Sequence, residues 1–399
     1  MLRPLILPVY LPCFFINGGT AMLVPLLPLY LADVGLADSV LGLVIAAAGI
    51  GGMASQIGWG RLIDRVGENN VLILAVAVIV CSVAVFGVIG SAVALGALRL
   101  FGGAGSAGWV LSRQTFLTHA TDPATRGKAM ALFGGTTRSA FLIGPVIAGA
   151  VAEFAGFPSA FLVAGITTAI GAVPLIFLRQ RDTVDPAVER GAEEQPSTPA
   201  TRPSLRPHLH DLVLAGSGQV LVIAARSGRF VVLPLIGESV GLSPADVGLL
   251  IGLGGLADLL LFPIAGLLMD RFGRLYAIVP AFTLMGAGLF LLAAASTGLA
   301  VTIAAVVIGI GNGLGSGTML TLSADLAPAD APSGFLAALG TIRDAGKVAG
   351  PLAVGIITDA ASLSVSATVM GATALAAAAV IAFGIGETLD RSTAPTAVG

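Results

Sequence analysis

GRLIDRVG, at residues Gly60–Gly67, recurs 206 positions later as GLLMDRFG at Gly266–Gly273. Both copies follow the pattern Gly-x-Leu-x-Asp-Arg-x-Gly, and both stand between two long apolar segments. A second motif keeps the same offset, because Gly144-Pro145 recurs as Gly350-Pro351. Two unrelated motifs that share one offset, about half the chain, indicate an internal duplication.

The composition is that of a membrane protein. Of the 399 residues, 56% are hydrophobic and only 11% are charged, and the mean hydropathy is +0.97. A soluble domain carries about 25% charged residues. Apolar runs of about 20 residues recur, long enough as helices to cross about 30 Å of hydrocarbon. Because open strands would leave backbone groups unpaired in lipid, we predict an all-α polytopic membrane protein.

Twelve apolar segments are long enough to span a bilayer, six in each half of the duplication. We predict spans at residues 5–31, 39–60, 71–90, 94–118, 129–152, 159–178, 211–237, 244–267, 276–296, 300–324, 334–357 and 364–386. The predicted domains are an N-terminal six-helix bundle (1–178), a cytoplasmic linker (179–210) and a C-terminal six-helix bundle with a short cytoplasmic tail (211–399). The linker is rich in proline and glutamate, a composition typical of disordered segments.

The distribution of lysine and arginine predicts the orientation. Thirteen of the 20 cations lie in the termini and the alternate loops that share one side of the membrane. The loops of the other side contain carboxylates instead: Asp33, Asp38, Glu153, Glu238 and Asp359. By the positive-inside rule, both termini and the linker face the cytoplasm of a plasma membrane, as in a bacterial inner membrane.

The other seven cations lie inside predicted spans, where charge is costly and usually faces a bundle interior or a water-filled cavity. They are Arg99, Arg113, Arg138, Arg226, Arg229, Arg343 and Lys347. Two carboxylates, Asp258 and Asp344, lie comparably deep. Arg99 and Arg113 are near span ends, where paired struts or snorkelling explain them equally well. The remaining charged residues favour a polar cavity.

Two ion pairs follow from depth and spacing. Arg226 and Arg229 reach the depth of Asp258 on the next span, which predicts a pair within the second half. Lys347 lies three residues after Asp344, within reach on one helical face. Each pair is either a fixed structural bridge or part of the cavity.

Several motifs together resemble one family. The repeated Gly-x-Leu-x-Asp-Arg-x-Gly resembles the signature loop of the major facilitator superfamily. Leu95–Gly105 resembles its second motif, with Gly102 in place of the usual glutamine. Ala140–Gly149 and Val24–Pro28 resemble the antiporter and first-helix motifs of its 12-helix drug:proton antiporter branch. The resemblance covers the whole chain and implies two pseudo-symmetric six-helix bundles around a central cavity, with alternating access.

The resemblance also implies a conformational latch in the repeated loop. In that family the aspartate, here Asp64 or Asp270, bonds the neighbouring arginine and the start of span eleven. An anion at a helix C-terminus is unfavourable without such a partner, and a glycine suits the left-handed cap of a helix. A merely basic loop is the alternative. The latch residues are Gly60, Asp64, Arg65, Gly67, Gly266, Asp270, Arg271 and Gly273.

The remaining site predictions concern the cavity. Asp258 and Asp344 are the candidates for proton coupling. The substrate-cavity candidates are Asn17, Arg99, Arg138, Arg226, Arg229, Asn312, Arg343 and Lys347. Gly144-Pro145 and Gly350-Pro351 indicate either helix bends or tight helix packing. First-span carboxylates are frequent in the cation exporters of the branch, and here Asn17 occupies that region.

These residues predict a secondary active transporter for a small organic solute, proton-coupled and directed to efflux. Seven cations against two carboxylates favour an anionic or amphiphilic substrate. The alternatives are a multidrug:proton antiporter for lipophilic compounds, a facilitator without ion coupling, a channel or a ligand sensor. We expect a monomer whose partners are solute, protons and lipid, without nucleic acid, cofactor or metal. The sequence contains neither a P-loop nor a His-Glu-x-x-His motif, so we expect neither an ATP-driven pump nor an enzyme.

Overall fold

The structure, a computed structural model, describes residues 5–121, 123–177 and 205–389. Every secondary-structure element in these ranges is helical. The predicted linker lies outside them up to residue 204, and so does the C-terminal tail from residue 390. The domain boundaries at residues 178 and 211 therefore stay predictions.

Six helices make up the first half. They are α1 (Leu11–Asp33), α2 (Asp38–Val66), α3 (Glu68–Ala84), α4 (Ala92–Ala120) and the two helices of the stretch Pro123–Phe177. A π-helical turn, Ile6–Tyr10, precedes α1. The long stretch breaks at Gly156, whose φ of 79° suits only glycine, so α5 covers residues 123–155 and α6 residues 157–177.

Six further helices make up the second half. They are α7 (Leu209–Ser239), α8 (Pro244–Arg271), α9 (Leu275–Ala293), α10 (Gly298–Leu314), α11 (Pro332–Ala360) and α12 (Leu363–Ala379). After α10 the chain turns at Gly317, which has a φ of 80°, and continues as the short helix Thr318–Asp325. A π-helical turn, Val380–Ile385, prolongs α12.

Ten helices in the described ranges are long and apolar enough to cross a membrane. One of them, Gly127–Phe177, has 51 residues and contains most of α5 and all of α6. α11, which carries Arg343, Asp344 and Lys347, is not among the ten. Each of α1 to α12 overlaps one of the twelve predicted spans, and the predicted all-α membrane fold class is confirmed.

Predicted spans two and eight end too early. α2 continues to Val66 and α8 to Arg271, so both copies of the repeated motif are largely helical. Hydropathy marks where a helix leaves the lipid, whereas a helix continues until its backbone pattern is broken. Gly67 and Gly273, with φ of 83° and 124°, follow the two helix ends.

The two halves pack alike. α1 lies against α5 as α7 lies against α11, and α3 lies against α4 as α9 lies against α10. Without a hydrophobic driving force in lipid, such contacts depend on small residues that let backbones approach. A side chain at Gly144 would collide with the Gly18 carbonyl of α1, and one at Gly350 with the Ala224 carbonyl of α7. Of the two interpretations of the Gly-Pro motifs, these contacts favour tight packing.

The halves meet at two equivalent crossings, α2 with α11 and α5 with α8. Gly42 lies against Gly355 at the first crossing, and Gly248 lies against Gly149 at the second. Gly42 and Gly248 are 206 positions apart, and so are Gly149 and Gly355. A Cβ at any of these positions would meet the backbone of the opposite half.

Beside each crossing a carboxylate from one half caps a helix of the other. Asp359, at the end of α11, accepts hydrogen bonds from the Asp38 and Ser39 amides at 3.0 and 2.9 Å. Glu153, near the end of α5, accepts one from the Ala245 amide at 3.5 Å. Glu153 and Asp359 also keep the offset of 206. A helix N-terminus offers unpaired N–H groups and a positive dipole end, so both contacts are favourable. We call them the carboxylate clasps, and their end of the bundle the clasp end.

Candidate functional site

A cavity of about 300 Å³ lies between the halves. α5 forms one wall, and α7, α8 and α10 form the others. Its polar side chains are Thr137, Arg138, Arg229, Asp258 and Asn312, and the rest of its lining is apolar or glycine. Four of the predicted site residues, Arg138, Arg229, Asp258 and Asn312, therefore share one cavity.

Arg138 and Asp258 join the two halves across this cavity. Nε of Arg138 lies 3.6 Å from Oδ2 of Asp258, and each side chain is about one-fifth exposed (21% and 19%). The Arg138 guanidinium also stacks on the ring of Phe262 at 4.0 Å. The Ser316 hydroxyl donates a hydrogen bond to Asp258. The aspartate thus has a cation from the first half and a hydroxyl from the second.

The predicted ion pair between Asp258 and the two arginines of α7, Arg226 and Arg229, is wrong, because Asp258 pairs with Arg138 of α5. Arg226 donates from Nη2 to the Gly315 carbonyl at 2.8 Å. Arg229 stacks on Phe230 at 4.4 Å and makes no hydrogen bond or ion pair within the described residues. Depth was inferred from residue counts, which fix height along a helix but not the direction around its axis. Asp258 faces the crossing helix α5 instead of α7.

Asp344 forms a second polar contact between the halves. It pairs with Lys347 at 3.1 Å, as the spacing predicts, and with Arg343 at 3.4 Å. Nε2 of Gln56, on α2, donates to it at 3.2 Å. The Asp344 side chain is only 8% exposed. This cluster sits at the α2–α11 crossing, and none of its members lines the cavity.

Three other intramembrane candidates also lie outside the cavity. Asn17 donates to the carbonyl of Cys13, on its own helix, at 2.8 Å. Arg99 lies on α4 with a buried Nε that has no partner in the described ranges. Arg113 is buried between the rings of Trp109 and Phe116, both at 5.3 Å, and donates to the Pro8 carbonyl at 3.0 Å. The contacts of Arg113 fit the structural alternative.

The latch end, which carries Gly60–Gly67 and Gly266–Gly273, differs between the halves. Asp64 is exposed and forms no ion pair or side-chain hydrogen bond within the described residues. The predicted bonds to Arg65 and to the start of α11 are therefore absent in this conformation. Both closing glycines have positive φ, but the ψ of 157° puts Gly67 outside the left-handed helical region.

In the second half the partner of Asp270 is Arg274, at 3.3 Å. Arg274 also donates from Nε to Asp325 at 2.8 Å, a hydrogen bond that raises the pKa of the arginine. Its backbone amide donates to Glu387 at 2.7 Å. The neighbouring Arg271, predicted as the partner, instead stacks on Phe272 at 5.5 Å.

Four features are not among the predicted site residues: the clasps, the Gln56 contact, Phe262, and the Arg274 cluster, which consists of Arg274 with Asp270, Asp325 and Glu387. The duplication held a signal for the first, because Glu153 and Asp359 both face helix starts at the same offset. The offset also maps Gln56 onto Phe262, the two residues that reach Asp344 and Arg138 across the crossings. The Arg274 cluster has no such signal in the repeat.

Comparison with known proteins identifies the family of this chain. The model of the Major Facilitator Superfamily matches residues 10–218 and again residues 215–398. The quinolone resistance protein NorA of Staphylococcus aureus (strain MRSA252) is 32% identical over 145 residues, 36% of this chain and 37% of NorA. Multidrug resistance protein 2 of Bacillus subtilis (strain 168) is 27% identical over 161 residues, 40% of this chain and 40% of that protein. The alignments thus span well under half the length of these curated relatives.

A solved structure has the same fold. It is that of a bacterial homologue of the human lysosomal transporter Spinster, in an inward-facing and unoccupied conformation. The TM-score is 0.72, with 13% identity over 94% of this chain and 93% of that chain. The family model matches once in each half and covers nearly the whole sequence. The chain therefore belongs to the Major Facilitator Superfamily of membrane transporters.

Proposed function

We propose that this protein is a secondary active transporter that exports a small organic solute in exchange for protons. The observation that carries the proposal is a partly polar cavity between two pseudo-symmetric halves. Its walls come from both halves, so a rocking motion of residues 1–178 against 211–399 changes access to it. Asp258 and Asp344, at the two crossings, are the candidates for proton coupling.

Charge distribution supports the orientation. In the sequence, the predicted loops on the side of the latch motifs contain most of the lysines and arginines outside the spans, and the positive-inside rule assigns that side, with both termini, to the cytoplasm. The clasps then hold the outer side together, whereas Asp64 on the inner side has no ion-pair partner among the described residues. This arrangement corresponds to a cytoplasm-open state of a multi-pass plasma-membrane protein.

Two substrate classes have support. Three arginines near a single aspartate favour an organic anion or an amphiphile. The names of the aligned relatives, a quinolone resistance protein and a multidrug resistance protein, favour a multidrug:proton antiporter for lipophilic compounds. Both classes share the mechanism of alternating access, and one assay tests that mechanism for either.

The test uses purified protein in liposomes with an imposed pH gradient. The probes are 2-naphthoate, a fluorescent organic anion, and ethidium, a fluorescent cation, followed by a wider panel of solutes. We expect saturable accumulation of at least one solute, dependent on the gradient, and counterflow when unlabelled solute is loaded on the opposite side. Flux without counterflow would identify a channel. Accumulation of no solute would contradict the proposal.

A further inference from the structure

The three arginines around the cavity have too few anionic partners. Arg138, Arg226 and Arg229 each have a buried Nε without a hydrogen-bond partner among the described residues. Asp258 is the carboxylate near enough to attract Arg226 and Arg229, and it is already paired with Arg138. A buried cation without a partner is costly. The described part of the site therefore has more positive than negative charge, which favours an anionic ligand.

Arg229 is the guanidinium best placed to receive that anion. It lines the cavity, whereas Arg226 is occupied by the Gly315 carbonyl and does not line it. Its guanidinium lies over the face of Phe230, and its N–H groups donate to no acceptor among the described residues. A planar fork of N–H donors matches a carboxylate, which it binds with two parallel hydrogen bonds.

The apolar lining defines the rest of the ligand. Phe141, Phe230, Leu233, Ile251 and Ile308 line the same cavity. Its volume of about 300 Å³ lies at the small end of the range for sites of drug-like ligands. These walls fit one or two fused aromatic rings.

We propose, resting on the function above, that the cavity selects a planar aromatic monocarboxylate, which binds Arg229 and competes with Asp258 for Arg138. Without a bound ligand, Arg138 and Asp258 pair with each other. An arriving carboxylate takes the place of Asp258 beside Arg138, and Asp258 keeps its hydrogen bond from Ser316. A cationic ligand has no comparable partner, because the carboxylate in the cavity is already engaged.

Equilibrium binding to the purified full-length protein tests this selection without transport. The probes share one ring system: 2-naphthoate, 2-naphthylmethanol and 2-naphthylmethylammonium. Isothermal titration calorimetry should show 2-naphthoate binding at least about ten-fold more tightly than the other two, because hydrogen bonds to charged groups contribute most. The ammonium probe should bind most weakly.

Variants separate a binding role from a structural one. Arg229→Gln should weaken 2-naphthoate about ten- to a hundred-fold and leave 2-naphthylmethanol within about two-fold. Asp258→Asn should strengthen 2-naphthoate, because the competitor for Arg138 has lost its charge. Lys128→Gln, an exposed cation far from the cavity, should change neither probe. If Arg229→Gln fails to fold, binding of 2-naphthoate to Arg229→Lys and to Asp258→Asn tests the proposal instead.

Three results would overturn the selection: tighter binding of the ammonium than of the carboxylate, equal weakening of all probes in Arg229→Gln, or weaker naphthoate binding in Asp258→Asn. Failure of all three probes in a protein that exports other solutes refutes the substrate class alone. Selective naphthoate binding without any transport refutes the proposed function and leaves the site standing.

Discussion

The ion pair between Arg138 and Asp258 should stabilise the contact between the two halves, and a double-mutant cycle measures how much. We expect Asp258→Asn to destabilise the protein more than the double variant Asp258→Asn/Arg138→Gln. The single change leaves Arg138, Arg226 and Arg229 together without a carboxylate, whereas the double change removes one of the three cations as well.

The geometry gives the magnitude. Unit charges 3.6 Å apart attract by about 4–5 kcal/mol at an effective dielectric constant of about 20. Both side chains keep about one-fifth of their surface exposed, so water screens part of this attraction. Removing one partner of a buried pair costs about 3–5 kcal/mol. We therefore expect about 3 kcal/mol of lost unfolding free energy for Asp258→Asn and a coupling energy of about 2 kcal/mol.

The assay is unfolding of the detergent-solubilised protein by titration with sodium dodecyl sulfate, followed by tryptophan fluorescence. Wild type, both single variants and the double variant make up the cycle. A second cycle combines Asp258→Asn with Lys128→Gln, whose exposed side chain makes no ion pair with Asp258. This control cycle should be additive.

Additive losses in the first cycle, with a coupling energy under about 0.5 kcal/mol, would refute the pairing. A coupling energy equal to that of the control cycle would refute it as well. In either case Asp258 would be held by Ser316 alone, and the substrate competition inferred above would lose its basis.

Three further predictions concern access and coupling, and the first two use cysteine labelling from each side of the membrane in a Cys13→Ser/Cys81→Ala background. Asp64→Asn should shift the protein toward the cytoplasm-open state, because the predicted latch loses its charge; unchanged labelling with retained transport would contradict this. Asp359→Asn should shift it the opposite way, since the amides of α2 lose a carboxylate; labelling that stays cytoplasm-open would count against the clasp. Asp344→Asn should abolish accumulation driven by a pH gradient in liposomes; a variant that still accumulates solute would move the coupling role to Asp258 or to another ion.

Much of the fold follows from the sequence because lipid restricts the chain so strongly. Apolar segments of about 20 residues have to be helices, and the repeated Asp-Arg motif with the Gly-Pro pair fixes their twofold relation. Helix ends were less predictable. The short helix Thr318–Asp325 and the extension of α2 to Val66 depend on backbone geometry at glycines, which hydropathy does not register.

The sequence predicted which residues belong to the site, but not which of them form ion pairs between helices. Spacing along one helix correctly joined Lys347 to Asp344, because three residues on a helix always bring side chains together. Spacing could not join Arg138 to Asp258, since that contact depends on how α5 crosses α8. For the same reason the sequence predicts one substrate site for Lys347 and Arg138, whereas they lie at different crossings in the structure.

We infer from the duplication that the predicted latch and the clasps act together. α2 and α11, of 29 residues each, run antiparallel, so the C-terminal carboxylate of each helix faces the N-terminus of the other. At the clasp end, Asp359 of α11 caps α2. At the latch end, Asp64 is the corresponding carboxylate of α2, and the resemblance to the superfamily assigns it to the start of α11.

We expect the two bonds to exclude each other. α2 and α11 cross beside the clasp, at Gly42 and Gly355, and the hydrogen bond from Gln56 to Asp344 joins them nearer the latch end. From Gln56, which still bonds Asp344 of α11, to Asp64 is about 12 Å of helix, so a rotation about this contact changes the separation of the latch end. We expect closure of the predicted latch to open the clasp. An Asp64→Asn/Asp359→Asn variant, which weakens both ends, should therefore return to a labelling pattern between those of its parents. A pattern identical to either single variant would show that the two ends do not compete.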